Sequence, residues 1–147
     1  MPDIHKGFQD DRQEEAEVLI SFLDAIDALE SVQEYKQRMR EACPVRPGDH
    51  ILDIGCGPGL ETQRLSRLVG SDGRVVGIDK SELMIGEARR RIAGTSLTIE
   101  YGVGDAHQLD FTDHSFDLCR SERVLLYVED LQRVLEEMLR VVRPGGH

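Results

Sequence analysis

The sequence has no run of about 18 apolar residues, the length that a membrane-spanning helix needs. Its first residues, MPDIHKGFQDDRQEE, also lack the apolar core of a signal peptide. Acidic residues outnumber basic ones by 28 to 18, and no run of Lys or Arg is long enough to follow a phosphate backbone. From these absences we expect a soluble, cytoplasmic protein that binds neither membranes nor nucleic acids.

Cysteine is scarce as well. Cys43, Cys56 and Cys119 are odd in number and widely spaced, a pattern that fits neither a disulfide framework nor a zinc ribbon. We therefore predict three reduced thiols. His107 and His114 lie among aspartates, but their spacing matches no standard metal site, so we predict no metal ion there.

The chain has the length of one ordinary domain, and its apolar pattern changes near residue 45. Residues 1–11 are polar and lack periodicity, which is typical of a mobile arm. Apolar residues at helical spacing then predict a first helix, and Ser31 with Glu34 has the form of a capping box that opens a second one. Pro44 ends this helical extension.

Short apolar runs alternate with amphipathic helices in the rest of the chain. The predicted strands are HILDI, RVVGID, LTIEY and FDLC, at residues 50–54, 74–79, 97–101 and 116–119. Helices are predicted at about residues 60–69 and 81–94, and a last helix has an apolar face formed by Val128, Leu131, Leu135, Met138 and Val142. This alternation predicts an α/β fold, a parallel sheet with helices on both faces. The first strand should lie centrally, with its loop at the carboxyl edge of the sheet.

Three glycines follow the first predicted strand, in the stretch HILDIGCGPGLET. Gly55, Gly57 and Gly59 precede a helix, and Asp79 ends the second strand 24 residues after Gly55. A carboxylate in that place can accept hydrogen bonds from both hydroxyls of a ribose. The combination predicts a nucleotide-binding βαβ unit. The simpler alternative is a tight turn that needs glycine for a positive φ.

The spacing G-x-G-x-G differs from the G-x-G-x-x-G of dinucleotide sites, because Leu60 stands where the third dinucleotide glycine would be. Asp53 adds a second distinction. A carboxylate beside the loop would repel a pyrophosphate and would favour a ligand with positive charge, such as a sulfonium with an amino acid tail. The alternative is that Asp53 only accepts hydrogen bonds from nearby backbone amides.

Four segments in order resemble motifs of the class I, Rossmann-like S-adenosylmethionine-dependent methyltransferases. They are LDIGCGPG, VVGIDKSELMIGEAR, GDAHQLDFTDHSFDL and EDLQRVLEEMLRVVRPGGH, and the resemblance runs from about Pro47 to the last residue. It is strongest to the small-molecule type that includes the ubiquinone and menaquinone biosynthesis methyltransferases. The resemblance implies S-adenosylmethionine as cofactor and direct displacement at its sulfonium methyl by a small-molecule acceptor.

The resemblance also implies which residues contact the cofactor. Asp79 would hold the ribose with Lys80 beside it, and Met84 would cover the adenine. The full set is Asp53, Gly55, Cys56, Gly57, Gly59, Asp79, Lys80, Met84, Asp105, Ala106 and Ser121. Other roles remain open: Cys56 as a small loop residue without an activating neighbour, Lys80 as a solvated side chain, Met84 as a core residue and Asp105 as a turn residue. No catalytic base is assigned.

The stretch CRSERVLLYVED follows the fourth predicted strand and has two interpretations. In one, Arg120, Arg123 and Tyr127 face an acceptor, for which an anionic group would suit the arginines; in the other, they form structural ion pairs with Glu122 or with the helical extension. Both interpretations remain open from the sequence alone.

Two segments follow from the resemblance. Residues 1–44 form an arm and a helical extension, a candidate lid in which Phe8 and Tyr35 would close over the acceptor. Residues 45–147 form the S-adenosylmethionine-binding half of a methyltransferase domain. The family fold has seven strands, whereas this sequence ends where a fifth would begin. We therefore expect a longer natural protein, or a second copy or partner chain that covers the open edge of the fourth strand.

Two other functions remain as alternatives. One is an NAD(P)-dependent oxidoreductase, against which the glycine spacing and Asp53 argue. The other is a non-catalytic module that binds a nucleoside or pairs with a partner through the open sheet edge. The sequence does not name the acceptor, because acceptor choice is not encoded in the cofactor motifs.

Overall fold

The computed structural model describes residues 12–147, so the predicted arm and Phe8 lie outside the described residues. The described chain begins with two helices, α1 (Gln13–Asp27) and α2 (Glu30–Ala42). The elements that follow are β1 (His50–Ile54), α3 (Leu60–Val69), β2 (Arg74–Asp79), α4 (Glu82–Ile92), β3 (Ile99–Val103), β4 (Leu118–Ser121) and α5 (Leu131–Val141).

The strands form one parallel sheet in the order β3-β2-β1-β4. β1 pairs with β2 on one side and with β4 on the other, so the first strand is central. The predicted α/β class and the central place of the first strand are confirmed. Because the strands are parallel, the residues that follow β1, β2 and β4 meet at one edge of the sheet.

The outer edge of β4 is partly paired. The His147 N–H donates to the Asp117 carbonyl at 3.0 Å, and the His147 carbonyl accepts from the Cys119 N–H at 2.9 Å. One residue that bonds to both neighbours of Leu118 follows the hydrogen-bond pattern of parallel strands. His147 therefore lies beside β4 in the position of a further parallel strand.

The sheet separates two apolar clusters. Ile51 and Leu52 are both fully buried, yet Ile51 belongs to one cluster and Leu52 to the other, as the period-2 alternation of a strand requires. Leu65 of α3 and Ile85 of α4 complete the first cluster, and Val134 of α5 belongs to the second. Helices therefore cover both faces of the sheet, which explains why β1 and β2 read as continuous apolar runs.

The predicted capping box of the second helix is wrong. α2 begins at Glu30 with Leu29 at its N-cap, and no side chain caps this end. The Leu29 carbonyl already accepts hydrogen bonds from the Val32 and Gln33 N–H groups, so helical bonding starts before Ser31. The short connection from α1 fixes this start, and Ser31 lies inside the first turn.

The predicted apolar face of the last helix is confirmed only in part. Val128 and Met138 pack against the second cluster, but Leu131 is 47% exposed and Leu135 is 42% exposed, and the fully buried residues are Val134 and Val141. The buried face includes Glu137, which hides the pattern from a count of apolar residues. The Glu137 carboxylate accepts a hydrogen bond from the Leu109 N–H at 2.7 Å, and a buried polar group is tolerated when it is bonded in this way.

The third and fourth strands lie about two residues further along the chain than predicted. β3 spans Ile99–Val103 and β4 spans Leu118–Ser121. Leu97 packs against the core just before β3, and Phe116 is fully buried just before β4. Leu97 and Phe116 pack in the core without pairing in the sheet, so the third and fourth strands were predicted to begin about two residues too early.

Replacing Phe116 by Ala should lower the free energy of unfolding by about 3–5 kcal/mol, because the ring is fully buried and packs edge-to-face on Phe111 at 5.1 Å. Urea unfolding followed by circular dichroism measures this change. Leu139→Ala is the control: its side chain is 75% exposed, and we expect a change within about 0.5 kcal/mol. Equal effects of the two changes would contradict the assignment of Phe116 to the core.

Candidate functional site

The loop after β1 depends on glycine for its backbone. Gly55, Gly57 and Gly59 have φ values of 70°, 54° and 82°, a region that other residues rarely adopt. A Cβ on Gly55 would lie 2.1 Å from Val124 Cγ2, and one on Gly59 would lie 2.4 Å from Tyr101 Oη. The turn therefore requires glycine for conformation and for space.

Gly57 meets a different surface. A Cβ at this position would lie 3.8 Å from Leu23 Cδ1, a normal contact distance. Leu23 belongs to α1, so the helical extension lies directly over the glycine loop. The predicted extension is therefore close to the predicted binding loop, although its role as a lid stays a prediction.

A cavity of about 380 Å³ opens at this edge of the sheet. It brings together most of the predicted cofactor contacts, from the ends of β1, β2 and β3. The lining includes Asp53, Gly55, Cys56, Gly57, Asp79, Lys80, Met84, Asp105 and Ala106. Residues from four separate parts of the sequence thus share one cavity.

Gly59 and Ser121 lie outside the cavity lining in the described part of the chain. Gly59 is buried at the start of α3 against Tyr101 and Ala88. The Ser121 hydroxyl is buried and has no hydrogen-bond partner among residues 12–147. The cofactor contacts predicted for these two residues stay predictions.

Asp79 joins the end of β2 to the glycine loop. Its Oδ2 accepts a hydrogen bond from the Gly57 N–H at 2.9 Å, and its Oδ1 accepts from the Ser81 N–H at 3.0 Å. Asp79 also lines the cavity, where its carboxylate lies beside the glycine loop. Asp79 also stabilises the conformation of the loop itself.

Met84 and Asp105 both line the cavity, and each is also held in place by the fold. Met84 is 4% exposed and nevertheless lines the cavity, and it belongs to neither apolar cluster of the core. Asp105 forms a turn, because its carboxylate accepts from the His107 N–H at 2.9 Å. This hydrogen bond lowers the Asp105 pKa, and the exposed carboxylate still lines the cavity.

Asp53 is buried and paired with a cation. It is 2% exposed, and Arg120 Nη1 donates to its Oδ1 at 3.0 Å. Burial raises the Asp53 pKa to about 6, and the charge of Arg120 opposes this rise. Among the described residues its donor is this guanidinium, so the alternative in which Asp53 only bonds backbone amides is wrong.

Arg120 near the end of β4 and Arg123 just after it form ion pairs. Arg120 Nη2 donates to Glu122 at 2.9 Å, and Arg123 donates to Glu122 at 3.0 Å. The Tyr35 hydroxyl of α2 also donates to Glu122. Both arginines therefore form the ion pairs of the second interpretation. Both also line the cavity, together with Tyr127.

A buried network of charges continues from Glu122 into the helical extension. Lys36 is 5% exposed, and its ammonium lies 2.7 Å from Asp27 and 3.5 Å from Glu122. Arg64 contacts both Asp27 and Glu61. The described network also includes Arg40, which donates to Glu61 at 2.6 Å, so its four carboxylates are paired with five cations, Arg123 included.

Sequence reasoning missed Asp27, Lys36 and Glu61. The only sign of their burial in the sequence is the position of Lys36, which lies one helical turn after the apolar residue Val32. Each of the three is paired with an opposite charge, as a buried charged group requires. Burial opposes ionisation of Asp27, but hydrogen bonds from Arg64 and Lys36 outweigh it and lower its pKa to about 2.

An apolar wall forms another part of the cavity lining. Side chains of α1 line the cavity together with residues that follow β4. This wall is formed by Leu19, Phe22, Leu23, Ile26, Val124 and Val128. The cavity can therefore hold a ligand with a charged portion and an apolar portion.

Residues 12–147 offer few features of a metal centre, a membrane-spanning helix or a reactive thiol. No group of three His, Cys, Asp or Glu side chains there is placed to hold a metal ion, and every helix in this part is too short or too polar to cross a bilayer. All three cysteines are free. Burial raises the Cys56 pKa far above its usual value, which makes this thiol a poor nucleophile.

Comparison with known proteins gives consistent matches. A family model described as a methyltransferase domain matches residues 51–146. The chain is 42% identical over 127 residues to an uncharacterised 37.1 kDa protein in transposon TN4556 of Streptomyces fradiae. It is 35% identical over 153 residues to a demethylmenaquinone methyltransferase of Symbiobacterium thermophilum. These matches cover 86% and 95% of this chain, but only 36% and 61% of those proteins.

A solved structure shows the same fold. The S-adenosylmethionine-dependent methyltransferase of Mesorhizobium loti is 34% identical, with a TM-score of 0.66, and the match covers 75% of this chain and 49% of that one. This chain thus spans about half the length of the proteins it matches. The family model covers well over half of this chain, and the cofactor of the family is S-adenosylmethionine. The chain therefore belongs to the class I, Rossmann-like family of S-adenosylmethionine-dependent methyltransferases.

Proposed function

We propose that this protein transfers a methyl group from S-adenosylmethionine to a small, largely apolar acceptor. The observation that carries the proposal is the cavity itself. It joins the glycine loop and Asp79 with a buried carboxylate, Asp53, and with the apolar wall of α1. A nucleoside with a cationic sulfur and an amino acid tail needs each of these features.

The residues present fit this cofactor. Asp79 brings a carboxylate, a suitable acceptor for ribose hydroxyls, to the cavity at the end of β2, and Met84 offers a polarisable surface for the purine. Gly55 and Gly57 line the cavity, so a ligand there would contact the loop. Asp105 and Ala106 line the same cavity, and the resemblance assigns them to the adenine amino group and a ring nitrogen.

The cofactor supplies an electrophilic methyl group on a positively charged sulfur. The protein contributes position and a water-poor environment. The Asp53 carboxylate favours positive charge at the end of β1, and the apolar side chains of α1 exclude water from the cavity. Glu122 is unsuited to act as a base: burial raises its pKa, but hydrogen bonds from Tyr35 and Arg120 outweigh this and hold it below its usual value.

The apolar wall favours an apolar acceptor. It faces the cavity from α1 and from the residues after β4. The demethylmenaquinone methyltransferases among the relatives act, by their names, on demethylmenaquinone. We infer that the acceptor belongs to the same broad class, an apolar molecule of quinone type.

We also infer that the protein acts in the cytoplasm and that further polypeptide covers the outer edge of β4. The first residues, MPDIHKGFQDDRQEE, are predominantly polar, which supports this location. α5 exposes Leu131, Leu135 and Leu139 in one row, and exposed apolar rows are often covered by other chain segments. A second copy of this chain and a different partner are both possible covers.

S-adenosylhomocysteine should bind the folded protein at one site, because it has the nucleoside and the amino acid tail that the cavity fits. Isothermal titration calorimetry measures this binding, with NADH as the control ligand. We expect no NADH binding, since Leu60 stands where a dinucleotide site has its third glycine. Binding of NADH without S-adenosylhomocysteine would overturn the proposal in favour of an oxidoreductase.

Methyl transfer is tested separately with methyl-labelled S-adenosylmethionine and a panel of apolar quinols. Label should pass to at least one acceptor. If S-adenosylhomocysteine binds and no acceptor in a broad panel is labelled, the result favours a non-catalytic nucleoside-binding module.

Asp79→Asn should weaken S-adenosylhomocysteine binding about 10- to 100-fold, because it removes a charged hydrogen-bond acceptor worth about 1.5–3 kcal/mol. Calorimetry gives the affinity, and the melting temperature shows whether the loop still folds. Asp72→Asn is the matched control, since Asp72 lies exposed in the turn before β2. Unchanged affinity in Asp79→Asn would refute a ribose contact.

A further inference from the structure

A guanidinium lies between two carboxylates in the wall of the cavity. Arg120 Nη1 is 3.0 Å from Asp53 Oδ1, and Arg120 Nη2 is 2.9 Å from Glu122 Oε2. The Arg120 side chain is only 12% exposed, and it lines the cavity with both acids. The role of Asp53 toward a cationic ligand does not explain why a buried cation is placed beside it.

The ligand of the proposed function carries a charge of each sign in its amino acid tail. Its ammonium group suits a carboxylate, but its carboxylate would be repelled by Asp53 and Glu122 alone. A cavity that holds such a tail therefore needs a cation with free N–H groups. Four Lys and Arg side chains line the cavity: Lys36, Lys80, Arg120 and Arg123.

Arg120 is the best placed of these four cations. Lys36 already has three carboxylates within 4 Å of its ammonium, one for each of its N–H groups. Lys80 and Arg123 are exposed. Arg120 is buried, and its two hydrogen bonds leave three of the five guanidinium N–H groups without a partner among residues 12–147.

We propose that Arg120 binds the carboxylate of the amino acid tail of the cofactor, while Asp53 beside it favours the ammonium group. This inference rests on the proposed function and names a recognition residue for it. Arg120 and Asp53 are register partners on β4 and β1, so the sheet itself sets the spacing of the two charges.

Glu122 acts as a positioning residue for Arg120. It accepts hydrogen bonds from Arg120 and from the Tyr35 hydroxyl, and Lys36 lies 3.5 Å away. Tyr35 and Lys36 belong to α2. The helical extension therefore holds the guanidinium in one orientation before the ligand arrives, which lowers the entropic cost of binding.

The test compares two ligands that differ only in the carboxylate: S-adenosylhomocysteine and its decarboxylated analogue, S-adenosyl-3-thiopropylamine. The wild-type protein should bind S-adenosylhomocysteine at least tenfold more tightly. In Arg120→Gln this ratio should fall below threefold, because the carboxylate loses its partner. Calorimetry gives all four affinities, and the comparison isolates the pairing of Arg120 with the carboxylate.

Arg64→Gln is the matched control. Arg64 is bonded to Asp27 and Glu61 in the same network but does not line the cavity, so this variant should keep the wild-type ratio. Arg120→Lys keeps the charge beside Asp53 and loses the planar fork, and it should give an intermediate ratio. This second variant serves if Arg120→Gln does not fold.

Equal weakening of both ligands in the Arg120 variants, with the wild-type ratio retained, would overturn the inference and leave Arg120 as a counterion of Asp53. A wild-type ratio near one would overturn it as well, while leaving cofactor binding intact. If wild-type protein binds neither ligand, the proposed function fails, and this inference fails with it.

Discussion

The ion pair between Asp53 and Arg120 is the interaction on which the rest of the site depends. Asp53 is 2% exposed at the end of the central strand, and a carboxylate so deeply buried keeps its charge only beside a partner. β4 supplies that partner in direct register. The pair therefore requires the β1–β4 pairing, and it determines the charge of the cavity wall behind the glycine loop.

The paired charges extend from this point into the helical extension. Glu122 joins Arg120 to Tyr35 and Lys36, and Asp27 continues the network toward Arg64. Residues from both predicted segments, before and after about residue 45, therefore line the cavity. The helical extension contributes a charge from α2 and apolar side chains from α1. Because removing one member of a buried network leaves its partner unpaired, these contacts tie the extension to the cofactor-binding half.

Much of the candidate site could be predicted because motif residues near strand ends converge in any parallel α/β sheet. Asp53, Asp79 and Met84 line the cavity for this reason. Gly59 instead packs against Tyr101. The network around Lys36 was missed, because a charged residue in an amphipathic helix normally marks the solvent face. Its burial depends on partners that are distant in the sequence, such as Glu122.

The sequence by itself determined the α/β class, the order of strands and helices and the glycine loop. These features follow from local periodicity, from backbone conformations that only glycine adopts easily, and from motifs read in order. Tertiary structure alone decided which face of α5 is buried, where β3 and β4 begin, and that Arg120 faces Asp53. The physical reason is that burial and ion pairing are properties of contacts between residues far apart in the chain, and strand register brings 53 and 120 together.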